Sequence, residues 1–172
     1  MNRLSRQYKA FTLVEILIVV LILGILAAIV VPKFSTASAT ARTSMMADDL
    51  RIMRMQLEVF RGQHLGVSAG YPGCDAGQLP TSDTFVAHIT QSSDAAGNTA
   101  PAGTLGYRYG PYMSRIPVNP VNDKDTVLVI GEGDAFPTEG QNLYGWIYQP
   151  STLTFKPDLP GVDDTNRPYM DY

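Results

Sequence analysis

The chain has 172 residues, 45% of them hydrophobic, with 13 Lys and Arg against 16 Asp and Glu and a single cysteine. That length suits one folded unit, or one unit with an appendage. The lone Cys74 excludes an internal disulfide framework, and a formal net charge of -3 argues against a broadly basic nucleic-acid binder.

In chain order the first element is apolar. Residues 11–31 read FTLVEILIVVLILGILAAIVV, with only Thr12 and Glu15 polar. A helix of that length spans about 32 Å, enough for a hydrocarbon core of about 30 Å. Arg3, Arg6 and Lys9 precede it, which predicts a cytoplasmic N-terminus and export of residue 33 onward. A cleaved secretory signal has a shorter apolar stretch of about 7–15 residues before a small-residue site. Here Ile29, Val30 and Val31 carry the run past Ala27-Ala28. Glu15 has two readings. An acidic residue inside a membrane helix is costly and usually functional. Thr12-Leu-Val-Glu15 also fits a capping box, in which Glu15 only ties down free amides at the helix start.

Lys9-Ala10-Phe11-Thr12-Leu13-Val14-Glu15, followed by an unbroken apolar stretch and Pro32, resembles the class III prepilin signal of type IV pilins and type II secretion pseudopilins. The resemblance covers about the first 34 residues. It implies cleavage by prepilin peptidase between Ala10 and Phe11 on the cytoplasmic side and methylation of the new Phe11 amine. The family usually has glycine where this chain has Ala10; alanine is the next smallest side chain, so cleavage is still expected. The resemblance also implies an assembly role for Glu15, which would pair with the Phe11 amine of a neighbouring subunit. Leaving one partner of such a buried pair alone is costly, so pairing penalises wrong register more than it adds affinity. Gly24 and Pro32 either loosen the interval between them during assembly or merely bend a membrane helix.

Beyond Lys33 the helical period continues with different chemistry. Met46, Leu50, Met53, Leu57 and Phe60 recur at intervals of 4, 3, 4 and 3, one apolar stripe of a helix. Charged residues lie mostly off the stripe, with Arg54 and Glu58 at i,i+4. Gly62 is a plausible stop. One helix over roughly residues 12–61 is predicted, with a membrane half and an amphipathic half whose stripe grips the following domain.

Residues 62–172 hold fourteen of the fifteen glycines and eleven of the twelve prolines, which predicts many turns joining short strands. Strand candidates are residues 126–130 (TVLVI), 144–149 and 152–156, the last two forming a hairpin about Pro150-Ser151 with Tyr144, Trp146 and Tyr148 on one face. Residues 90–103 read as a polar surface loop. Gly110-Pro111-Tyr112, followed by Ile116-Pro117-Val118-Asn119-Pro120, is similar to a stretch that precedes the sheet in major pseudopilins. The chain departs from it with Asn119 and Val121, where that family typically has Asp and Trp.

Few residues offer chemistry. His64 and His88 lack a second metal-like pair and read as satisfied or solvated histidines. Cys74 has no identifiable base, as nucleophilic catalysis requires. Gly131-Glu-Gly133 lacks the third glycine of a phosphate loop and reads as a turn. Tyr107, Arg108 and Tyr109 could stack on and neutralise a nucleic acid, against the acidic balance of the chain. Asp158, Asp163, Asp164 and Asp171 offer hard oxygen ligands, so calcium at Asp158, Asp163 and Asp164 is weighed against a solvated acidic tail. The resemblance raises the calcium reading, because major pseudopilins bind calcium near the C-terminus.

The organisation expected is thus a cleaved leader (1–10), a transmembrane and polymerisation helix (11–32), its amphipathic continuation (33–61) and an exported head (62–172). The fold class is α+β, a long N-terminal helix packed on a small antiparallel sheet, as in type IV pilins. The resemblance implies a structural subunit rather than an enzyme. It would polymerise with copies of itself into a type II secretion pseudopilus that drives protein export, or alternatively into a type IV pilus for adhesion, motility or DNA uptake. Implied partners are prepilin peptidase, an inner-membrane assembly platform and minor pseudopilins. The implied location is the bacterial inner membrane, crossed once, with the filament in the periplasm or at the cell surface. Removing residues 1–10 would leave 10 basic against 16 acidic residues.

Overall fold

The structure is a computed structural model and describes residues 12–172. It divides into two compact units, residues up to Ser38 and Ala39–Tyr172. Helix α1, Leu13–Gln63, supplies most of the first and the opening of the second. Thr12 stands before its first residue and its hydroxyl accepts the Glu15 amide at 3.2 Å, satisfying one of the donors a helix start leaves free.

Within the second unit the predicted stripe is the core of the head. Met46, Leu50, Met53, Leu57 and Phe60 are each at most 2% exposed. Burial of one such side chain stabilises by about 1.5–3 kcal/mol. They pack with Phe85, Ile89, Trp146, Tyr148 and Phe155 in a single cluster. The helix does not stop at Gly62. Leu65 takes the left-handed conformation (φ 56°) and the Gly66 amide reaches back to the Arg61 carbonyl at 2.9 Å, the six-to-one bond of a Schellman ending. Arg61 Nε in turn donates to the Gly66 carbonyl.

A second helix stands where turns joining short strands were expected, and a hairpin where residues 90–103 read as a polar surface loop. Helix α2, Ser82–Thr90, starts at Thr81, whose hydroxyl accepts the Thr84 amide, and it buries Phe85, His88 and Ile89. Strands β1, Ser92–Ser93, and β2, Thr99–Ala100, pair antiparallel. Asp94 closes their turn by accepting the Ala96 and Asn98 amides, both at 2.9 Å.

The remaining sheet has the order β3 (Val127–Val129), β4 (Trp146–Gln149), β5 (Thr154–Pro157). The β4–β5 hairpin is antiparallel, with Tyr148 opposite Phe155. The sheet is nevertheless mixed, because β3 runs parallel to β4. A parallel pair needs a long return connection, which residues 130–145 provide. Trp146, Tyr148 and Phe155 face the α1 core, whereas Ile147 joins Ile130 and Met170 on the opposite face. Both faces of the sheet are therefore covered. Tyr144 precedes β4 and is half-buried rather than extending the aromatic face.

Candidate functional site

The long apolar stretch is the feature of this molecule with most to explain. From Leu13 to Val31 every large hydrophobic residue is exposed, Val30 least at 44% and Leu13 most at 81%. The helix is long and apolar enough to cross a membrane. Its first turn carries the charged residue of the span. Glu15 is exposed, and its backbone amide is the group capped by Thr12. The capping reading of the Thr12–Glu15 pair thus has one of its two bonds in place, and the Glu15 carboxylate projects from an otherwise aliphatic surface. A methyl group added at Gly24 would meet nothing within 4 Å, so that position leaves a notch on the helix surface. Pro32 lies inside α1 rather than ending it. Ala10 and Phe11, expected at the cleavage and methylation site, lie outside the described residues.

The three aspartates weighed as calcium ligands serve separate purposes. Asp158 is 2% exposed and its carboxylate accepts the amides of Gln141, Leu143 and Tyr144 at 2.6–2.8 Å, pinning the approach to β4. Asp163 accepts the Tyr172 hydroxyl, the Thr165 amide and hydroxyl, and the Arg167 amide. The Tyr172 hydroxyl bond contributes most to holding its carboxyl well below the usual range. Asp164 is exposed and accepts the Thr40 hydroxyl. Among the described residues no group of three or more His, Cys, Asp or Glu side chains is placed to hold a metal ion. Asp158, Asp163 and Asp164 thus accept hydrogen bonds in separate places and are not gathered into one cation site. Nor is the segment a solvated acidic tail: Asp158 and Asp163 are buried, whereas Asp171 is exposed.

The two histidines are internal hydrogen-bonding groups. His64 lies 1% exposed between the Phe60 carbonyl (2.9 Å to Nδ1) and the Ser93 hydroxyl (3.1 Å to Nε2). His88, equally buried, receives the Gly70 amide on Nδ1 and donates from Nε2 to the Gly97 carbonyl. Phe60 stacks against both rings, with centroids 4.0 Å from His64 and 4.8 Å from His88. Burial pushes the Cys74 thiol up to about 11, the Asp94 carboxylate adding to it, which leaves little thiolate for chemistry. Tyr109 turns its ring edge-on to His64 instead of offering a stacking platform beside Arg108. Gly131 to Gly133 form a turn.

Asn119, one of the two departures in the Pro-rich stretch, is completely buried. Its side chain donates to the Gly145 carbonyl at 2.9 Å and accepts the Val121 amide at 3.0 Å. An aspartate could reproduce the second bond but not the first. Beside it the Trp146 indole donates to the Pro117 carbonyl at 2.8 Å. The stretch thus clamps the start of β4. The histidine pair, α2 and the Asp158 clamp were not foreseen. Thr81, with Phe85 and Ile89 at i,i+4, was the available signal for α2.

Residues 5–31 match the model of the prokaryotic N-terminal methylation motif. Three similar proteins are each named type II secretion system core protein G. The one from Pseudomonas aeruginosa is 34% identical over 71 residues, 41% of this chain and 50% of the relative. That of Aeromonas hydrophila is 28% identical over 130 residues, 74% of this chain and 78% of the relative. That of Dickeya chrysanthemi is 25% identical over 117 residues, 68% and 65% respectively. The chain thus spans only half the length of the Pseudomonas relative in that match. No solved structure matches significantly.

Proposed function

We propose that this chain is a structural subunit of a type II secretion pseudopilus, processed at its N-terminus and polymerised through α1 to drive protein export. The observation that carries this reading is the N-terminal methylation motif, which runs directly into a helix exposing apolar residues throughout Leu13 to Val31. The three relatives named core protein G favour the pseudopilus over the type IV pilus, whose subunits would carry the same kind of leader.

In this reading the head folds outside the inner membrane while residues 13–31 remain in lipid. Hydrolysis of the Ala10–Phe11 peptide bond by prepilin peptidase releases the basic leader and leaves a cationic amine on Phe11, which stays cationic after methylation. Glu15 of one subunit then pairs with the Phe11 amine of another. The pair costs little when complete and much when broken, so it selects register during addition of each subunit. The other components are an inner-membrane platform that adds subunits at the base and minor pseudopilins. No catalytic step is required of the chain itself.

A deletion strain tests the function. It should lose type II secretion and retain twitching and DNA uptake; the reverse pattern would make the chain a pilus subunit. At residue level, Glu15→Ala should give cleaved, membrane-retained protein that forms no filaments. Normal filaments from that variant would sink the pairing mechanism.

A further inference from the structure

We infer that His64, Phe60 and His88 form an acid-sensitive latch that holds the β1–β2 hairpin to the helices of the head and releases it, without unfolding the sheet, when His88 is protonated. The geometry is a three-ring stack with Phe60 in the middle. One imidazole follows the end of α1, the other stands on α2, and each reaches one arm of the hairpin turn. Just past the end of α1, His64 Nε2 lies 3.1 Å from the Ser93 hydroxyl and 3.1 Å from the Asp94 carbonyl. From α2, His88 Nε2 lies 3.0 Å from the Gly97 carbonyl.

His88 suits only the neutral ring. Its Nδ1 must accept, because the group facing it is the Gly70 amide N–H at 3.2 Å, and that fixes the proton on Nε2. A second proton would set N–H against N–H and place a charge at a site 1% exposed. Turning the ring away from Gly70 relieves that conflict, and because the ring is rigid the same turn withdraws Nε2 from the Gly97 carbonyl, which by itself accepts from either protonation state. The space into which it can turn exists: a cleft of about 450 Å³ between Pro72, Asp83, Ala87, Gly97 and Thr99 is lined by His88 itself.

The charged and titratable groups around His88 do not rescue the cation. Burial is the largest cause acting on His88; the Gly97 carbonyl favours the cation, but burial and His64, just past the end of α1, outweigh it and bring His88 down to about 4. Asp83, on α2 with His88, also lines the cleft. On the hairpin, the Asp94 carboxylate is committed to the Ala96 and Asn98 amides and the Asn98 side chain. On the segment between the helices, the Cys74 thiol is held neutral by burial, and the Tyr112 hydroxyl beside the stack is likewise pushed up, to about 12. The sign follows. A histidine whose folded value lies below its ordinary 6.5 has no effect on stability above pH 6.5 and progressively destabilises the closed form between pH 6.5 and about 4.

The hairpin is the element able to move. It pairs with the rest of the head through the Ser93–Tyr109 bridge, whereas β4 lies between two strands with a core on each face. In an exported head the latch would make the surface of residues 92–100 respond to acidification.

The test is hydrogen exchange on the full chain in detergent micelles, corrected for intrinsic rates, at pH 7.5 and pH 4.5. Protection at Gly70, Ser93 and Asn98 should fall at least about tenfold at the lower pH while the β4–β5 amides keep theirs. Unchanged protection at all sites, or simultaneous loss in the sheet, overturns the latch. His88→Gln, whose amide can accept from Gly70 and donate to Gly97 without titrating, should keep the hairpin protected at pH 4.5; release in that variant also overturns it. Should that variant misfold, an NMR titration of the native His88 ring decides: a midpoint near 4 supports the latch and one at or above 6.5 overturns it.

Discussion

Arg54 donates twice to the carbonyl of Phe155, from Nε at 3.1 Å and from Nη2 at 2.7 Å. The same Nη2 also reaches the Tyr172 carbonyl at 2.7 Å. One guanidinium on α1 thereby fastens strand β5 and the C-terminal segment to the helix. A lysine cannot reproduce this fork, since its charge is a point on a flexible stem. Arg54→Lys should cost about 1–2 kcal/mol and Arg54→Ala roughly 2–3 kcal/mol, read from urea unfolding followed by Trp146 fluorescence. Equal stability of both variants and the parent would show that the fork contributes nothing.

The Asp158 clamp predicts a severe loss when it is cut. Asp158→Ala leaves the amides of Gln141, Leu143 and Tyr144 without their carboxylate and should cost about 3 kcal/mol. Millimolar calcium should leave the parent melting temperature unchanged, because these oxygens already have donors. A rise of several degrees, lost in Asp163→Ala, would instead show that the loops rearrange around the cation.

Acid should erode a second contact, at a pH below the window in which His88 acts. The folded Asp163 carboxyl is held below its ordinary value, chiefly by Tyr172. It therefore contributes stability above about pH 4 and loses that contribution as pH falls toward its depressed folded value. Tyr172→Phe should destabilise the head at pH 7 and flatten the fall in stability below pH 4. An unchanged slope would remove Tyr172 as the cause.

Cys74 should behave as a sheltered thiol. It is half-buried, and its Sγ lies where a methyl group added at Gly97 would fall, 2.3 Å away. With the thiol raised to about 11, alkylation by iodoacetamide at pH 8 should run at least about tenfold slower in the native chain than in urea. Comparable rates would place the sulfur in solvent.

The sequence disclosed most where one period dominated. The five-residue stripe from Met46 to Phe60 carries its own burial pattern, because a helix face must repeat at 3 and 4 whatever it packs against. Residues 126–130 and 144–149 were legible as strands, trimmed in the fold to Val127–Val129 and Trp146–Gln149, for a similar reason: β-branched and aromatic residues in short runs have few alternatives. The parallel pairing of β3 with β4 was not legible, since direction depends on where the return chain of residues 130–145 packs. Helix α2 escaped because nine residues give only about two and a half turns of periodicity. The burial of Asp158 escaped because its partners are backbone amides, which leave no mark in a sequence, and that of Asp163 because its partners, two amides and the hydroxyls of Thr165 and Tyr172, are brought together only by the turn. At the N-terminus the balance reverses. The basic residues Arg3, Arg6 and Lys9, Glu15 and the apolar run are patterns of residue type, readable directly, whereas the bare helix of residues 13–31 shows no partner that would distinguish one use from another.

That bare helix also bears on where the work of assembly would arise. Lipid tails are as apolar as leucine, so passing from a bilayer to the company of other such helices changes the hydration of residues 13–31 very little. Extraction and insertion would then be nearly isoenergetic for the aliphatic surface, and a filament built on it could be extended or dismantled without crossing a deep well. Discrimination between partners would fall to the few departures from hydrocarbon: the hydroxyl of Thr12, the carboxylate of Glu15, the notch at Gly24 and the missing amide hydrogen of Pro32. A surface so uniform makes its exceptions legible to a neighbour.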